Sequence, residues 1–203
     1  MGSDGNSKFA EQAEKARLKM IVGMAIDFAG MTRVFAEGSN TKIFLKLEEL
    51  LVDLHRVSTR EEYDQVHATF CRWFTENIRT AEKTLKNGVI KPEGPASYGQ
   101  AAKVLDISAK VFVHYSGLPS ADKARVLLPI LHGAIDTQIL KYLKQRFPNS
   151  GVRATTVEKI NRTEYDILES LIAREIQEEF RSEICPVQYD DILFLRLNRE
   201  PVN

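Results

Sequence analysis

Apolar residues recur at intervals of three and four positions along most of the chain, which is the spacing of amphipathic α-helices. The first such stretch covers residues 7–36 and contains no proline. Its middle, KMIVGMAIDFAGM, is apolar nearly all round, which predicts a helix buried on several sides. Gly23 and Gly30 lie on one face of this helix, where a neighbouring helix could approach closely. After a break at EGSN, TKIFLKLEELLVDLHRV predicts a second helix.

The segment STREE predicts the start of a third helix. A hydroxyl N-cap at Ser58 or Thr59, followed three positions later by a glutamate, satisfies two amides that would otherwise be unpaired. This helix is expected to run to about Lys86, where Asn-Gly provides a left-handed stop. VIKPEGPAS, residues 89–97, is rich in proline and glycine and predicts a linker.

The second half of the chain predicts further helices. One covers residues 97–117, and a short one follows with Ser120 as its N-cap. Pro129 must kink or restart the chain there, because proline has no backbone amide to donate. The unit ends near Phe147, before PNSG.

The last long helix is expected within residues 156–184, beginning either at the box that starts with Thr155 or at Thr163 and ending before Pro186. The C-terminal run DDILFLRLNRE is short and partly alternating, so it predicts either an extended segment or a short helix. We expect it to pack on the domain or to pair across a dimer.

These elements together predict an all-α fold, an irregular bundle of about six to seven helices with a short C-terminal extended or helical tail. Residues 1–6 are small and polar and are expected to be flexible. Residues 7–203 form a single helical domain in this interpretation. Two halves, 7–87 and 97–203, are possible on either side of the linker.

Composition and charge narrow the function classes. Apolar residues make up 43% of the chain and charged residues 28%, as in ordinary globular proteins. The 28 basic and 28 acidic residues balance, so no overall field attracts nucleic acid or an anionic membrane. Cys71 and Cys185 are far apart, so neither a zinc site nor a disulfide framework is indicated, and no metal or cofactor is expected. Without a signal peptide or a run long enough to cross a bilayer, we expect a soluble cytoplasmic protein and no membrane partner.

The stretch LHGAIDTQIL places polar residues in an otherwise apolar run. On a continuous helix, His132 and Asp136 share a face, and the carboxylate could orient or charge the imidazole in a general base or half of a metal site. Alternatively, Asp136 is an N-cap whose carboxylate accepts the amide of Gln138 or Ile139. The second interpretation is favoured because Asx residues at such breaks are usually caps.

A polar stripe runs along the helix before this stretch. Helical spacing gathers its members on one side: Gly99, Gln100, Lys103, Asp106, Lys110 and His114. The favoured interpretation is a solvated face on which Asp106 pairs with Lys103 and Lys110. If the stripe instead faces His132 and Asp136, a Lys/His/Asp/His cleft results, which would suit an anionic ligand and phosphate above all.

Two short strings, KVLD and AIDTQIL, resemble the helix-hairpin-helix DNA glycosylases, in which a hairpin lysine and a following aspartate sit at the base-excision site. The resemblance implies that Lys103 is an amine nucleophile and Asp136 its activating carboxylate. The Gly-x-Gly hairpin of that family is missing here, because SYGQAAK offers only Gly99, and the separation of lysine and aspartate is long.

Arg60 and His67, on one face of the third helix, resemble the Arg-x(4–6)-His signature of helical HEPN-type ribonucleases, where the pair serves RNA phosphate chemistry. The alternative is structural, since Arg60 lies in the first turn of the helix, where it neutralises Glu61 and Glu62.

The sequence favours a non-enzymatic protein-interaction or oligomerisation module, because apolar helix faces are its clearest features and no complete catalytic site appears. A protein partner or self-association is therefore expected. The alternative is a nucleic-acid-binding or nucleic-acid-processing protein with a Lys/His/Asp cleft, and whether the chain is an enzyme stays open. Candidate catalytic residues are Lys103, His132 and Asp136, and candidate ligand-binding residues are Gln100, Lys110 and His114.

Overall fold

Eight α-helices make up most of the computed structural model, which describes residues 3–84 and 87–199. The all-α prediction is confirmed, with slightly more helices than expected. The first helix already includes residues 3–6, which the sequence predicted to be flexible. Outside the described part lie residues 1–2, which belong to the predicted flexible N-terminus, and residues 200–203, which belong to the predicted domain and its C-terminal tail. In chain order the helices are α1 (Ser3–Phe28), α2 (Ser39–Asp53), α3 (Arg60–Asn77), α4 (Tyr98–Lys110), α5 (Ala121–Leu127), α6 (Thr137–Arg146), α7 (Arg162–Phe180) and α8 (Pro186–Arg199).

Side-chain caps start several of these helices. The Thr59 hydroxyl accepts the amide of Glu62, and the Glu62 carboxylate accepts the Thr59 amide, so the predicted capping box of α3 is confirmed. Ser120 caps α5 as predicted. Asn161, in a box with Glu164, caps α7, which therefore starts at neither predicted threonine. Among the described helices, none has the length and hydropathy needed to span a membrane.

Helix α1 is shorter and more exposed than predicted. It ends at Phe28, and Gly30 beyond it adopts a left-handed φ of 65°, which is typical of a helix stop. Met20, Met24 and Phe28 lie one turn apart and are 67%, 52% and 65% exposed, so burial on several sides was a wrong prediction. Close approach of a helix at Gly23 and Gly30 was also wrong, because a Cβ added at either glycine would meet nothing within 4 Å.

Two short antiparallel strand pairs lie within residues 79–84 and 90–95, where the sequence predicted part of the third helix and a linker. The predicted helix end near Lys86 falls at residues 85–86, which lie outside the described part. β1 (Arg79–Thr80) pairs with β4 (Gly94–Pro95), and β2 (Lys83–Thr84) pairs with β3 (Ile90–Lys91). The Asn-Gly dipeptide lies between β2 and β3. It therefore serves a hairpin, for which it is a strong signal, and not a helix stop.

The residues after α3 show why the helix does not continue. Ile78 and Thr80 are buried, whereas Arg79 between them is exposed, and this alternation has the two-residue period of a strand. The exposed Arg79, in β1, donates from Nε to Oε1 of Glu93, the residue before β4, at 2.8 Å.

One continuous cluster of buried apolar side chains includes residues from both predicted halves, among them Leu47 and Phe74 from the first and Leu105, Leu140 and Leu193 from the second. Helix α4 is central, since α1, α2, α3 and α7 all contact it. The C-terminal tail forms α8, which packs on α6 and α7. Of the two arrangements expected for the tail, the structure shows packing on the domain.

Candidate functional site

Most of the polar stripe along α4 is buried, whereas Lys103 and His114 are partly exposed. Gln100, Asp106 and Lys110 are only 3%, 1% and 5% exposed, so the prediction of a solvated face was wrong. The reason is that the neighbouring helices cover α4 on several sides. Gln100 closes the capping box of its own helix, since its Oε1 accepts the amide of Ser97 at 2.8 Å. Its observed role is therefore in the start of α4.

The segment from His132 to Asp136 has no regular secondary structure and is not helical. Asp136 is the N-cap of α6, and its Oδ1 accepts the amides of Gln138 and Ile139, each at 2.8 Å. The favoured cap interpretation is thus confirmed, whereas the shared helix face of His132 and Asp136 is absent. The segment nevertheless contributes to two different sites.

The first site is a cleft of about 700 Å³ between α1, α4, α6 and α8. Lys103, Lys110 and Asp136 line it, so three of the six candidate residues converge there. His114 lies at its margin, with Nε2 3.8 Å from an oxygen of the lining residue Asp191. Neither His132 nor Gln100 lines this cleft, so the full predicted Lys/His/Asp/His cleft does not form.

Lys110 is neutralised within the cleft by α8. Its Nζ donates to Asp190 Oδ2 and Asp191 Oδ1, both at 2.9 Å, and the Tyr115 hydroxyl donates to the same Asp191 oxygen at 2.6 Å. Burial alone would lower the pKa of Lys110, but the two carboxylates outweigh it and raise that pKa. Burial raises the pKa of Asp190 to about 7, against the opposing effect of Lys110.

Lys103 is half-buried on the same side of α4. Burial lowers the pKa of Lys103, and the charge of Asp136 opposes this shift. Aromatic and aliphatic side chains form the walls of the cleft, and several of them stay exposed to solvent. These are Phe28 (65%), Tyr115 (50%), Phe194 (51%) and Leu195 (45%).

The second site is a buried network around Asp106. Tyr165 donates its hydroxyl hydrogen to Asp106 Oδ2 at 2.8 Å, and the hydroxyl oxygen lies 2.9 Å from His132 Nδ1. The other ring nitrogen of His132, Nε2, lies 2.7 Å from Asp64 Oδ1 at the surface. His67 approaches from α3, with Nε2 3.2 Å from Asp106 Oδ1. The network therefore joins α3, α4, α7 and the segment before α6.

The two imidazoles have different electrostatic environments. Burial lowers the pKa of His132 to about 4, and the hydrogen bond with Asp64 only partly opposes this. Burial also acts against a charge on His67, but Cys71 and Asp106 outweigh it and raise the pKa of His67 to about 10. Burial and the neighbouring Asp106 raise the pKa of Glu169 well above its usual value.

Sequence reasoning missed this network as a unit. It named His67 only as a partner of Arg60, yet Arg60 Nε donates to Asp64 Oδ1 at 2.9 Å, whereas His67 is 1% exposed. The two side chains therefore do not present one surface to an RNA phosphate. Tyr165 carries no local signal of its role, because its partners come from distant parts of the chain.

No protein-family model matches the chain, and no curated protein or solved structure shows significant similarity to it.

Proposed function

We propose that this chain is a protein-interaction module whose cleft between α1, α4, α6 and α8 binds a basic, amphipathic segment of a partner protein. The observation that carries the proposal is that exposed aromatic side chains and an excess of carboxyl groups line the same cleft. Phe28 and Tyr115 are half-exposed or more, and their rings pack edge to face with centroids 6.3 Å apart. Clustered exposed apolar side chains are typical of interaction sites.

Charge supports a basic occupant. Four carboxyl groups line the cleft, from Asp27, Asp136, Asp190 and Asp191, against the two ammonium groups of Lys103 and Lys110. The charge of Lys110 is already matched by its carboxylate partners, so it attracts no further anion. A lysine or arginine of a bound segment would find complementary charge here, which favours the correct partner and its orientation.

Shape supports a segment and not a folded surface. A cleft of about 700 Å³ accommodates a few side chains. Helices that bind in such grooves insert apolar side chains spaced three or four residues apart and leave their polar face outside. The exposed aromatic side chains supply the contacts for those anchors, and the carboxylates supply the charged partners.

The test is fluorescence anisotropy with a labelled short peptide of leucine and lysine designed as an amphipathic helix. A leucine and glutamate peptide of the same pattern is the charge control. Phe28→Ala should weaken binding of the leucine and lysine peptide by about tenfold or more, because truncating an aromatic anchor removes a large contact. Phe9→Ala is the matched control, since Phe9 lies on the same helix, is 71% exposed and does not line the cleft.

Equal binding of the two peptides, or equal effects of the two phenylalanine variants, would refute the proposal. Light scattering of the protein alone is a second test, because it measures whether the chain is a monomer or a dimer. A dimer that Phe28→Ala converts to a monomer would mean that a second copy of the chain occupies the cleft, which overturns the choice of a separate partner.

Nucleic-acid processing is a second candidate, favoured by one observation. Lys103 and Asp136 line the same cleft, and burial lowers the pKa of Lys103, which is the shift that makes a lysine amine more nucleophilic. Binding of short single- and double-stranded DNA and RNA at two salt concentrations tests this alternative. Salt-sensitive binding that Lys103→Ala removes would support it, and absence of binding at low salt would reject it.

A further inference from the structure

Three side chains of types that commonly bind metal ions meet in the buried network, and none of them lines the cleft. His67 comes from α3, Asp106 from α4 and His132 from the segment before α6. One possible ligand atom of each lies within 4.8 Å of the other two, and all three residues are buried. Imidazole and carboxylate are common ligands of zinc and related transition metals.

The spacing of two of these atoms is also compatible with a shared metal ion. His67 Nε2 and Asp106 Oδ1 are 3.2 Å apart, yet both are buried without a hydrogen-bond partner among the described residues. Two ligands that bind one tetrahedral zinc ion at about 2.0–2.1 Å lie roughly 3.4 Å apart. A buried polar atom without a hydrogen-bond partner is costly, so these atoms are expected to have a partner.

The hydrogen bond with Asp64 leaves a lone pair on Nδ1 of a neutral His132. The Asp64 carboxylate accepts, so the proton of a neutral His132 must lie on Nε2, 2.7 Å away. The single hydroxyl proton of Tyr165 goes to Asp106. His132 Nδ1 then faces the Tyr165 oxygen at 2.9 Å with no proton between them. A carboxylate that holds the outer nitrogen while the inner one binds metal is a recurrent arrangement in zinc sites.

We propose that His67, Asp106 and His132 form a binding site for a divalent transition-metal ion of the zinc type. His67 and His132 bind through Nε2 and Nδ1, and Asp106 binds through Oδ1. The fourth position belongs to water or a small ligand, as in zinc sites with three protein ligands. Magnesium and calcium are disfavoured, because they prefer oxygen ligands throughout.

The surroundings of the three ligands support this assignment. Two further buried oxygens, the Tyr63 hydroxyl and Glu169 Oε1, have no hydrogen-bond partner among the described side chains. The Tyr63 ring lies edge-on to that of His132, with centroids 5.1 Å apart. These two oxygens are candidate hydrogen-bond partners for the ligand in the fourth position.

The test uses untagged protein that has been treated with a chelator and then titrated with Co²⁺, which absorbs strongly in visible light when its coordination is tetrahedral. We expect one equivalent to bind and one equivalent of Zn²⁺ to displace it. Asp106→Asn and His132→Asn should each weaken binding by at least about tenfold. Circular dichroism of each variant separates loss of metal from loss of fold.

The remaining histidines provide a control that does not disturb the core. The double variant His55→Asn/His114→Asn keeps only the two buried histidines, since the chain has four in all. It should bind one equivalent of Co²⁺ as the unmodified protein does. Absence of a tetrahedral signal in the unmodified protein, or its loss in the double variant, would overturn the proposal even where the Asp106 variant does not fold.

Discussion

Gly99 determines how closely two segments approach in the first turn of α4. Its amide donates to the carbonyl oxygen of Ile160 at 3.1 Å. A Cβ at this position would lie 2.3 Å from the backbone oxygen of Val157 and 2.7 Å from Ile160 Cβ. Glycine is therefore required here by the close backbone contact.

Gly99→Ala should lower the free energy of unfolding by about 1–3 kcal/mol, because one of the two segments must shift. Gly23→Ala is the matched control, since its added Cβ would meet nothing within 4 Å inside α1. That change should raise the stability by roughly 0.5–1 kcal/mol, because alanine favours the helix. Urea unfolding of both variants measures the difference, and similar effects at the two positions would contradict this account of Gly99.

Local chemistry made some single residues predictable. The caps at Thr59, Ser120 and Asp136 followed from sequence because the amides they accept lie within three residues. The environments of His67 and Asp106 did not follow, because the two residues come from different helices and meet only through packing. No pattern in a single sequence indicates that these two side chains lie close together.

The helices were easier to predict than the neighbouring elements that pack on them. The apolar spacing of α4 indicated a helix, but spacing alone could not show that neighbours also cover its polar stripe. The lysine at its end needs partners from α8, a helix that the sequence left undecided between strand and helix. The β-hairpin was missed for a similar reason, because Asn-Gly is compatible with both a helix stop and a tight turn.

The contact between α4 and α8 should make stability depend on pH. Asp190 is 3% exposed and faces Lys110, the Ala134 amide and the neighbouring Asp191, which in turn lies near His114. Burial raises the pKa of Asp190 to about 7 in the folded protein, whereas an unfolded aspartate titrates near about 3.9. Between these values the folded chain holds the extra proton, so the contribution of Asp190 to stability falls as the pH rises through about 7.

Asp190→Asn isolates this contribution, because the amide keeps the shape and does not titrate. The measurement is urea unfolding of both proteins at several pH values between about 4 and about 8. This range includes most of the interval between the unfolded and folded pKa values of Asp190. The free energy of unfolding of the unmodified protein, relative to that of Asp190→Asn, should fall as the pH rises. A difference that stays constant over this window would show that Asp190 titrates normally.

Across the entire chain, the continuous apolar cluster links the two halves that the linker prediction had allowed. Helix α4 contacts α1, α2 and α3 from the first half as well as α7 from the second. The hairpin that replaces the linker also joins α3 to α4 directly. A shared core of this kind is expected to unfold as one cooperative unit.

Leu140→Ala tests that cooperativity from the second half. Leu140 is fully buried in α6, so its truncation should lower the free energy of unfolding by about 2–5 kcal/mol. Trp73, the single tryptophan, lies on α3 in the first half and reports on that half by fluorescence. In Leu140→Ala we expect the urea midpoint measured by Trp73 fluorescence to fall together with the midpoint measured by circular dichroism. Leu45→Ala is the control, at a position 59% exposed on α2, and should leave both midpoints almost unchanged. If Leu140→Ala splits the dichroism transition and leaves the Trp73 midpoint in place, the halves 7–87 and 97–203 fold separately and the core is not shared.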